Sequence, residues 1–362
     1  MENGMDTSSK KIKVAVVGVG YLGEHHARIY SELPGVELVG VVDLNVERAE
    51  KIAADRHCEA FTDVSALFGK VDAASVVVPT PAHFKVSKAL LENGVDLLLE
   101  KPMTATLQEA DELLALADQK GRMLQVGHVE RFNAGVRKLK EGLVQPRFIE
   151  CHRMGPFVER GTDVHVILDL MIHDIDIILS LVSSELVEVR ATGVPVLTPQ
   201  IDIANVRLAF ANGCVANVTA SRVSRERLRK IRIFQPDTYL SLDYLLQELV
   251  ICRRVVAPGG SRPEVTIDKV QIEKEEPLKA ELSAFVQAVR TRSVPKVSGE
   301  DGRRALAVAL QVVDLIKHQP QSGGRVRMRE TGRSSSLLLP IDIPHPGWVD
   351  AIWIERLPNR PA

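Results

Sequence analysis

Val14-Ala-Val-Val-Gly-Val-Gly-Tyr-Leu-Gly23, together with Leu38-Val-Gly-Val-Val-Asp43, decides how this chain folds. A short apolar run enters Gly18-x-Gly20-x-x-Gly23. A helical segment follows from Glu24 to Leu33, and a second apolar run ends in an acid 20 residues after Gly23. Strand, glycine turn, helix, strand and acid in that order make a dinucleotide-binding unit. Gly18 permits the tight turn, Gly20 lets backbone N–H groups approach a pyrophosphate, and Gly23 lets helix and strand pack closely. Val19, Tyr21 and Leu22 fill the turn, and the N-terminus of the helix that follows offers partial positive charge to phosphates. Asp43 can accept both hydroxyls of an adenosine ribose and would repel a 2′-phosphate, so the expected cofactor is NAD rather than NADP.

The same texture continues outward. Between Lys11 and about Gly127, apolar runs at Lys13–Val17, Glu37–Val42, Ala74–Val78, Asp96–Leu99 and Met123–Val126 alternate with helical patterns such as Phe84–Asn93 and Leu107–Lys120. Gly94 and Gly121 stand where those helices end. Alternation with short connections implies a parallel sheet covered on both faces, with ligands at the strands' carboxyl ends. After Arg131 the pattern changes. Thr162 to Leu181 reads as a helix. From Val187 to about Ile272 the strands Asn205–Phe210, Cys214–Thr219, Lys230–Phe234 and Tyr239–Asp243 follow one another through short turns, as an antiparallel meander would. Helices Pro277–Thr291 and Asp301–Lys317 come next. The expected organisation is a disordered N-terminus (1–10), an α/β Rossmann-fold domain that binds NAD (11–130), and an α+β domain with a large open antiparallel sheet (131–318). A linker and C-terminal arm (319–362) would follow, and the last helix is a candidate to pack back on the first domain.

Bulk properties exclude several classes. With 362 residues, 45% hydrophobic, the chain suits two globular domains. A formal net charge of −1 gives no electrostatic footprint for nucleic acid or an anionic membrane. Cys58, Cys151, Cys214 and Cys252 form no Cys-x-x-Cys, so neither zinc nor a disulfide framework is expected, and a reducing cytoplasm is the simplest home.

Three groups carry possible chemistry. Glu100-Lys-Pro102 ends the run Val95–Leu99, which puts Lys101 beside the cofactor crevice, where an ammonium stabilises a developing alkoxide. In Asp169-Leu-Met-Ile-His173, residues i and i+4 share a helix face, so Asp169 can orient a histidine suited to proton transfer; a buried structural pair reads equally well. Gly127-His-Val-Glu-Arg-Phe-Asn133 follows a strand at the domain junction, making His128, Glu130, Arg131 and Asn133 candidate contacts to substrate or nicotinamide, or else a polar hinge. Thr80 and Pro81, in Pro79-Thr-Pro81, end another strand, where the Thr80 hydroxyl can reach a nicotinamide ribose; a plain turn reads equally well. The basic run Arg222 to Arg232 is either a phosphate site or a solvated sheet face or subunit contact.

In combination, Gly18-x-Gly-x-x-Gly23, Val78-Pro-Thr-Pro81, Glu100-Lys-Pro102, Arg131-Phe-Asn133 and Asp169-x-x-x-His173 resemble the Gfo/Idh/MocA family, relatives of glucose–fructose oxidoreductase and inositol dehydrogenase, over roughly Lys11 to Lys317. The resemblance implies Lys101 and His173 as the catalytic pair, Asp169 in support, and a second-domain sheet with the substrate pocket on one side and an oligomer interface on the other. Gln125–Asn133, Asp169–Asp176 and Ser221–Gln235 are further similar to nucleotide-sugar members. These imply oxidation of C3 of UDP-N-acetylglucosamine and transfer of the 3-keto product to an aminotransferase, toward a 2,3-diamino sugar of lipid A. The alternatives are a dehydrogenase of another sugar or polyol (UDP-N-acetylglucosaminuronate, inositol) or a non-catalytic NAD-binding sensor. A sensor has no need of Lys101, Asp169 and His173 together.

Overall fold

The strand Ile12–Val17 (β1) is buried on both sides. Val14 and Val16 face one apolar layer, and Ala15 and Val17 face another. Only a central strand of a covered parallel sheet reads as such a continuous apolar run. This computed structural model describes residues 11–158, 164–256 and 263–318. The expectations for the N-terminal tail and the C-terminal arm lie outside the described residues.

Around β1 stand Val36–Val42 (β2), Glu59–Phe61 (β3), Ala73–Val76 (β4), Asp96–Glu100 (β5) and Leu124–Gly127 (β6), all parallel, in the order β3-β2-β1-β4-β5-β6. This is the doubly wound arrangement whose switch point lies between β1 and β4. The connecting helices are Tyr21–Glu32 (α1), Val46–Arg56 (α2), Thr80–Glu92 (α3) and Leu107–Lys120 (α4). Thr106 and Glu109 close a capping box on α4, and Gly121 ends it in the left-handed conformation (φ 59°). β4 ends at Val76, and Thr80 and Pro81 begin α3 with Pro79 as its cap, so the Pro-Thr-Pro segment opens a helix instead of closing a strand.

The second half holds Ala134–Glu141 (α5), Phe148–Met154 (β7), Ile172–Leu181 (α6) and the strands Leu186–Val194 (β8), Ile203–Phe210 (β9), Val215–Ser221 (β10), Leu228–Gln235 (β11), Thr238–Asp243 (β12), Glu248–Val256 (β13) and Pro263–Val270 (β14). Their order is β14-β13-β12-β11-β7-β10-β9-β8. The expected plain meander is corrected here. β7 comes from before the helix and inserts between β10 and β11, pairing parallel with β10 and antiparallel with β11. The sheet is otherwise antiparallel. Along β7, Ile149, Cys151 and Arg153 are buried, while the alternate residues are half-exposed. One face therefore packs on α6 and on Gly299–Lys317 (α8), as the shared core of Ile149, Val206, Ile175 and Val312 records. Pro277–Thr291 (α7) returns to the first sheet, where Leu278, Leu282 and Phe285 join Val14, Tyr30 and Leu98.

Candidate active site

The glycine turn has the geometry its spacing implies. Gly18 sits at φ +88°, and a Cβ there would lie 2.7 Å from the Val77 carbonyl. One on Gly23 would lie 1.9 Å from the Gly18 carbonyl, so only glycine permits this helix–turn contact. Gly20 differs: an added Cβ meets nothing within 4 Å, so its open side is the space a phosphate needs. Gly20 also caps α1 and brings no side chain to the helix N-terminus, the end of a helix that favours an anion. Asp43 closes the far wall. Its Oδ2 accepts from Val19 N–H at 2.9 Å and its Oδ1 from Asn45 N–H at 2.9 Å, with Arg48 at 3.6 Å. The carboxylate is thus locked to the turn with lone pairs to spare. These residues fit a dinucleotide with a free ribose diol.

Lys101 emerges from the end of β5. Its Nζ donates to the Asp169 carbonyl at 2.7 Å and lies 3.5 Å from Asp169 Oδ1. Glu100, immediately before it, is buried. Its Oε1 is 3.4 Å from His26 Nε2, and its Oε2 accepts from Lys101 N–H at 3.2 Å. Burial pushes the Glu100 carboxyl up, but the His26 bond and the charges of His26 and Lys101 outweigh it and hold it below the usual range. Glu100 therefore carries a negative charge under the ammonium. His83 ties this loop to the start of α3: Nδ1 lies 3.0 Å from the Pro102 carbonyl and Nε2 2.8 Å from that of Val78.

His173 stands on the first turn of α6. Burial lowers its basicity most, and the positive charges of Lys101, Arg153, His128 and Arg229 lower it further, to well below the ordinary range. It is a neutral imidazole at physiological pH. Of its two nitrogens only Nδ1 is sealed inside the protein, and it has no hydrogen-bond partner there. The expected Asp169–His173 contact is not formed. Ile167–Met171 is a π-turn, which widens the spiral so that i and i+4 no longer stack, and Asp169 turns to Lys101 instead.

The junction group is placed differently from expectation. Glu130 Oε1 accepts from Arg153 at 2.9 Å, and Asn133 donates to Glu130 at 3.3 Å and to the Tyr244 carbonyl at 3.1 Å. Arg131 forks onto Asp176 at 2.7 and 3.0 Å, and Arg153 onto Asp174 at 2.7 and 3.0 Å. These groups bond to one another within the protein, where they hold α6 against the junction and the second sheet. His128 is buried, and its ring centroid is 6.4 Å from that of His173. Sequence reading missed Arg153, His26, His83 and the buried Glu281. Their one signal was polarity in otherwise apolar elements, which does not announce a partner.

The basic run is resolved into separate fates. Arg222 lies by Asp202 and the Val164 carbonyl, and Arg232 pairs with Glu150 at 2.8 Å on the helix-free face. Arg225 and Arg227 are exposed. Arg229 is opposite Arg153 on the inner face, within electrostatic range of His173. Its guanidinium has no hydrogen bond or ion pair among the described residues. Burial, then repulsion from Arg153, weakens its hold on the proton. No described helix is long and apolar enough to cross a membrane, and no described cluster of His, Cys, Asp and Glu is arranged to hold a metal.

Comparison with known proteins agrees with this geometry. The model of an oxidoreductase family with an NAD-binding Rossmann fold, GFO/IDH/MocA, matches residues 12–128, and that of the GFO/IDH/MocA C-terminal domain matches residues 143–236. UDP-N-acetylglucosamine 3-dehydrogenase from Acidithiobacillus ferrooxidans is 41% identical over 302 residues, covering 83% of this chain and 96% of that protein. A solved structure of that enzyme superposes with a TM-score of 0.80 at 40% identity, over 85% of this chain and 98% of the other. Inositol 2-dehydrogenase 1 from Mycolicibacterium vanbaalenii is 34% identical over 191 residues, half of this chain and 56% of that one. The scyllo-inositol dehydrogenase of Lactobacillus casei, solved with NAD(H) and scyllo-inositol, shares the fold at a TM-score of 0.70 and 20% identity, over 85% of this chain and 96% of that one. The chain belongs to the GFO/IDH/MocA family of NAD-binding oxidoreductases.

Proposed function

We propose that this protein oxidises the C3 hydroxyl of UDP-N-acetylglucosamine to the 3-keto nucleotide sugar, with NAD as hydride acceptor. The observation that carries the reading is an anchored ammonium, Lys101, within electrostatic range of a neutral imidazole, His173, at the carboxyl edge of the sheet whose first strand leads into the open glycine turn. Support for the sugar comes from the 41% identical relative and from Arg229, an unpaired cation beside His173 that suits a diphosphate.

Gly18, Val19, Gly20, Tyr21, Leu22 and Gly23 would hold the pyrophosphate, Asp43 the ribose, and Thr80, Pro81, Glu100 and Lys101 the nicotinamide end. The cofactor supplies the hydride-accepting ring. The protein supplies position and charge. His173 Nε2, the nitrogen not sealed inside, takes the hydroxyl proton while Lys101 stabilises the alkoxide. Asp169 fixes Lys101, and Glu130, Arg131 and Asn133 brace the junction that positions α6. The product is a ketone suited to an aminotransferase, and the place of action is the cytoplasm, in a pathway toward lipid A. The helix-free face of the second sheet is the contact with further copies of the chain.

Isotope exchange tests this reading. The protein is incubated with UDP-N-acetylglucosamine, NAD and deuterated NADH, and the sugar is examined by mass spectrometry and NMR. Deuterium at C3 is expected, and exchange drops by at least about 10²-fold in Lys101→Ala and His173→Ala, both retaining NAD binding. An unlabelled sugar from protein that binds both ligands would overturn it.

A further inference from the structure

The proton taken by His173 has nowhere to stay on that ring. Each charged group that perturbs it — Lys101, Arg153, His128 when protonated, and Arg229 — disfavours an imidazolium. A base that cannot keep its proton must pass it on before the next turnover.

His128 is built to receive it. Its ring stands edge-on to that of His173 at 6.4 Å, a separation that one water molecule bridges. Both its nitrogens are buried and without a hydrogen-bond partner, as is Nδ1 of His173. Unpaired polar atoms at such depth are costly in a protein interior, and here three occur on two neighbouring rings. Burial lowers the proton affinity of both rings, and the combined effect is larger at His173. At His128 the charges of Asp176 from α6 and Glu100 from β5 offset part of the loss, against Arg131 and Lys101, whereas no carboxylate stands among the main influences on His173. From α7, Glu281 is buried within range of the same Glu100 and Asp176.

We propose that His128 is the second member of a proton relay, receiving through a bridging water the proton that His173 removes from the substrate hydroxyl. The proposal rests on His173 being the base of the dehydrogenase reaction. The hydroxyl O–H bond breaks, and its electron pair becomes the second bond of the carbonyl. The C–H pair leaves as hydride to NAD, and the proton binds His173 Nε2. The proton already on Nδ1 then moves to His128; when the product leaves, Nε2 gives its proton to solvent and His128 returns the stored one to Nδ1, which restores the resting ring. His128 touches neither sugar nor cofactor; it acts through His173. Its role explains a histidine buried where a hydrophobic residue would pack without cost.

Two measurements on the full-length protein test this. With histidine labelled in both carbon and nitrogen, NMR titration of the NAD complex is expected to show His128 taking a proton at a higher pH than His173. The reverse order leaves the transfer uphill and overturns the relay, whether or not the sugar assignment is correct. In kinetics, His128→Ala is expected to keep NAD binding and lose about 10²-fold in kcat. Added imidazole should restore turnover to His128→Ala and not to the cavity-filling His128→Phe. Undiminished kcat in a folded His128→Phe would also overturn the proposal. Absence of sugar exchange in the wild type, with the titration order as expected, would instead strike only the substrate reading.

Discussion

Among the basic side chains between Arg222 and Arg232, sequence could not distinguish a phosphate site from a sheet face, because alternation along a strand sends neighbours to opposite sides. Arg232 lies on the helix-free face with Glu150, while Arg229 lies on the inner face beside Arg153. Arg153 has Asp174 and Glu130 to neutralise it; Arg229 has neither as an ion pair. A partly buried guanidinium in that position is stabilised by an anion from outside. Arg229→Gln is therefore expected to raise KM for the nucleotide sugar about tenfold or more, the loss of one charged hydrogen bond of about 1.5–3 kcal/mol. kcat and the NAD dissociation constant should change little. Steady-state kinetics with the sugar varied at saturating NAD measures this, and an unchanged KM would move the diphosphate elsewhere.

Elements follow their sequence signals where one physical cause acts alone. The glycine turn, the acid after β2 and the capping box of α4 are local, and each has the geometry its residues dictate. Two features were not legible. The insertion of β7 between β10 and β11 is a long-range pairing that no local pattern encodes. The π-turn at Ile167–Met171 changes a helix's phase, so the expected Asp169–His173 pair became Lys101–Asp169. Helix α7 reads as simply amphipathic, yet it buries Glu281 with both carboxyl oxygens unpaired. Burial first, then the charges of Glu100 and Asp176, push this carboxyl well above its ordinary range, so the folded protein holds a proton there. The unfolded chain releases that proton above about pH 4.3. Stability from this group is complete below that pH. It falls by about 1.4 kcal/mol per pH unit above it, up to the folded titration point. Glu281→Gln keeps the shape and removes the titration. Urea unfolding should show the variant more stable than wild type at about pH 8 and equal to it near about pH 4. A variant less stable at both would mean that Glu281 is ionised and paired in the fold.

At the scale of the whole molecule, the two sheets solve the same problem differently. The parallel sheet is covered on both faces, by α1 and α7 on one and α3 and α4 on the other. The second sheet packs its inner face against α6 and α8, and no described helix lies on the other. That bare face is not uniformly polar. Phe148, Phe234 and Tyr239 adjoin in a row, with ring centroids 5.6 and 4.9 Å apart, and Phe234 is 38% exposed. Cys252 lies across from Tyr239 and Ile267 from Cys252, extending an apolar stripe from β7 out to the edge strand β14. The Arg232–Glu150 pair flanks it. A stripe of aromatics rimmed by compensated charge is what a self-complementary interface requires, and a twofold contact presents the same patch from both sides. Phe234→Glu places a carboxylate in the centre of the stripe without touching the inner core. In a twofold contact through this patch two such charges would meet, so sedimentation of the variant should give a smaller species than the wild type under the same conditions. Inner-face packing is unaltered, and NAD binding should persist in the dissociated form. A wild-type species that sediments as a single chain, or a variant that sediments like a larger wild type, would assign the stripe to some other contact.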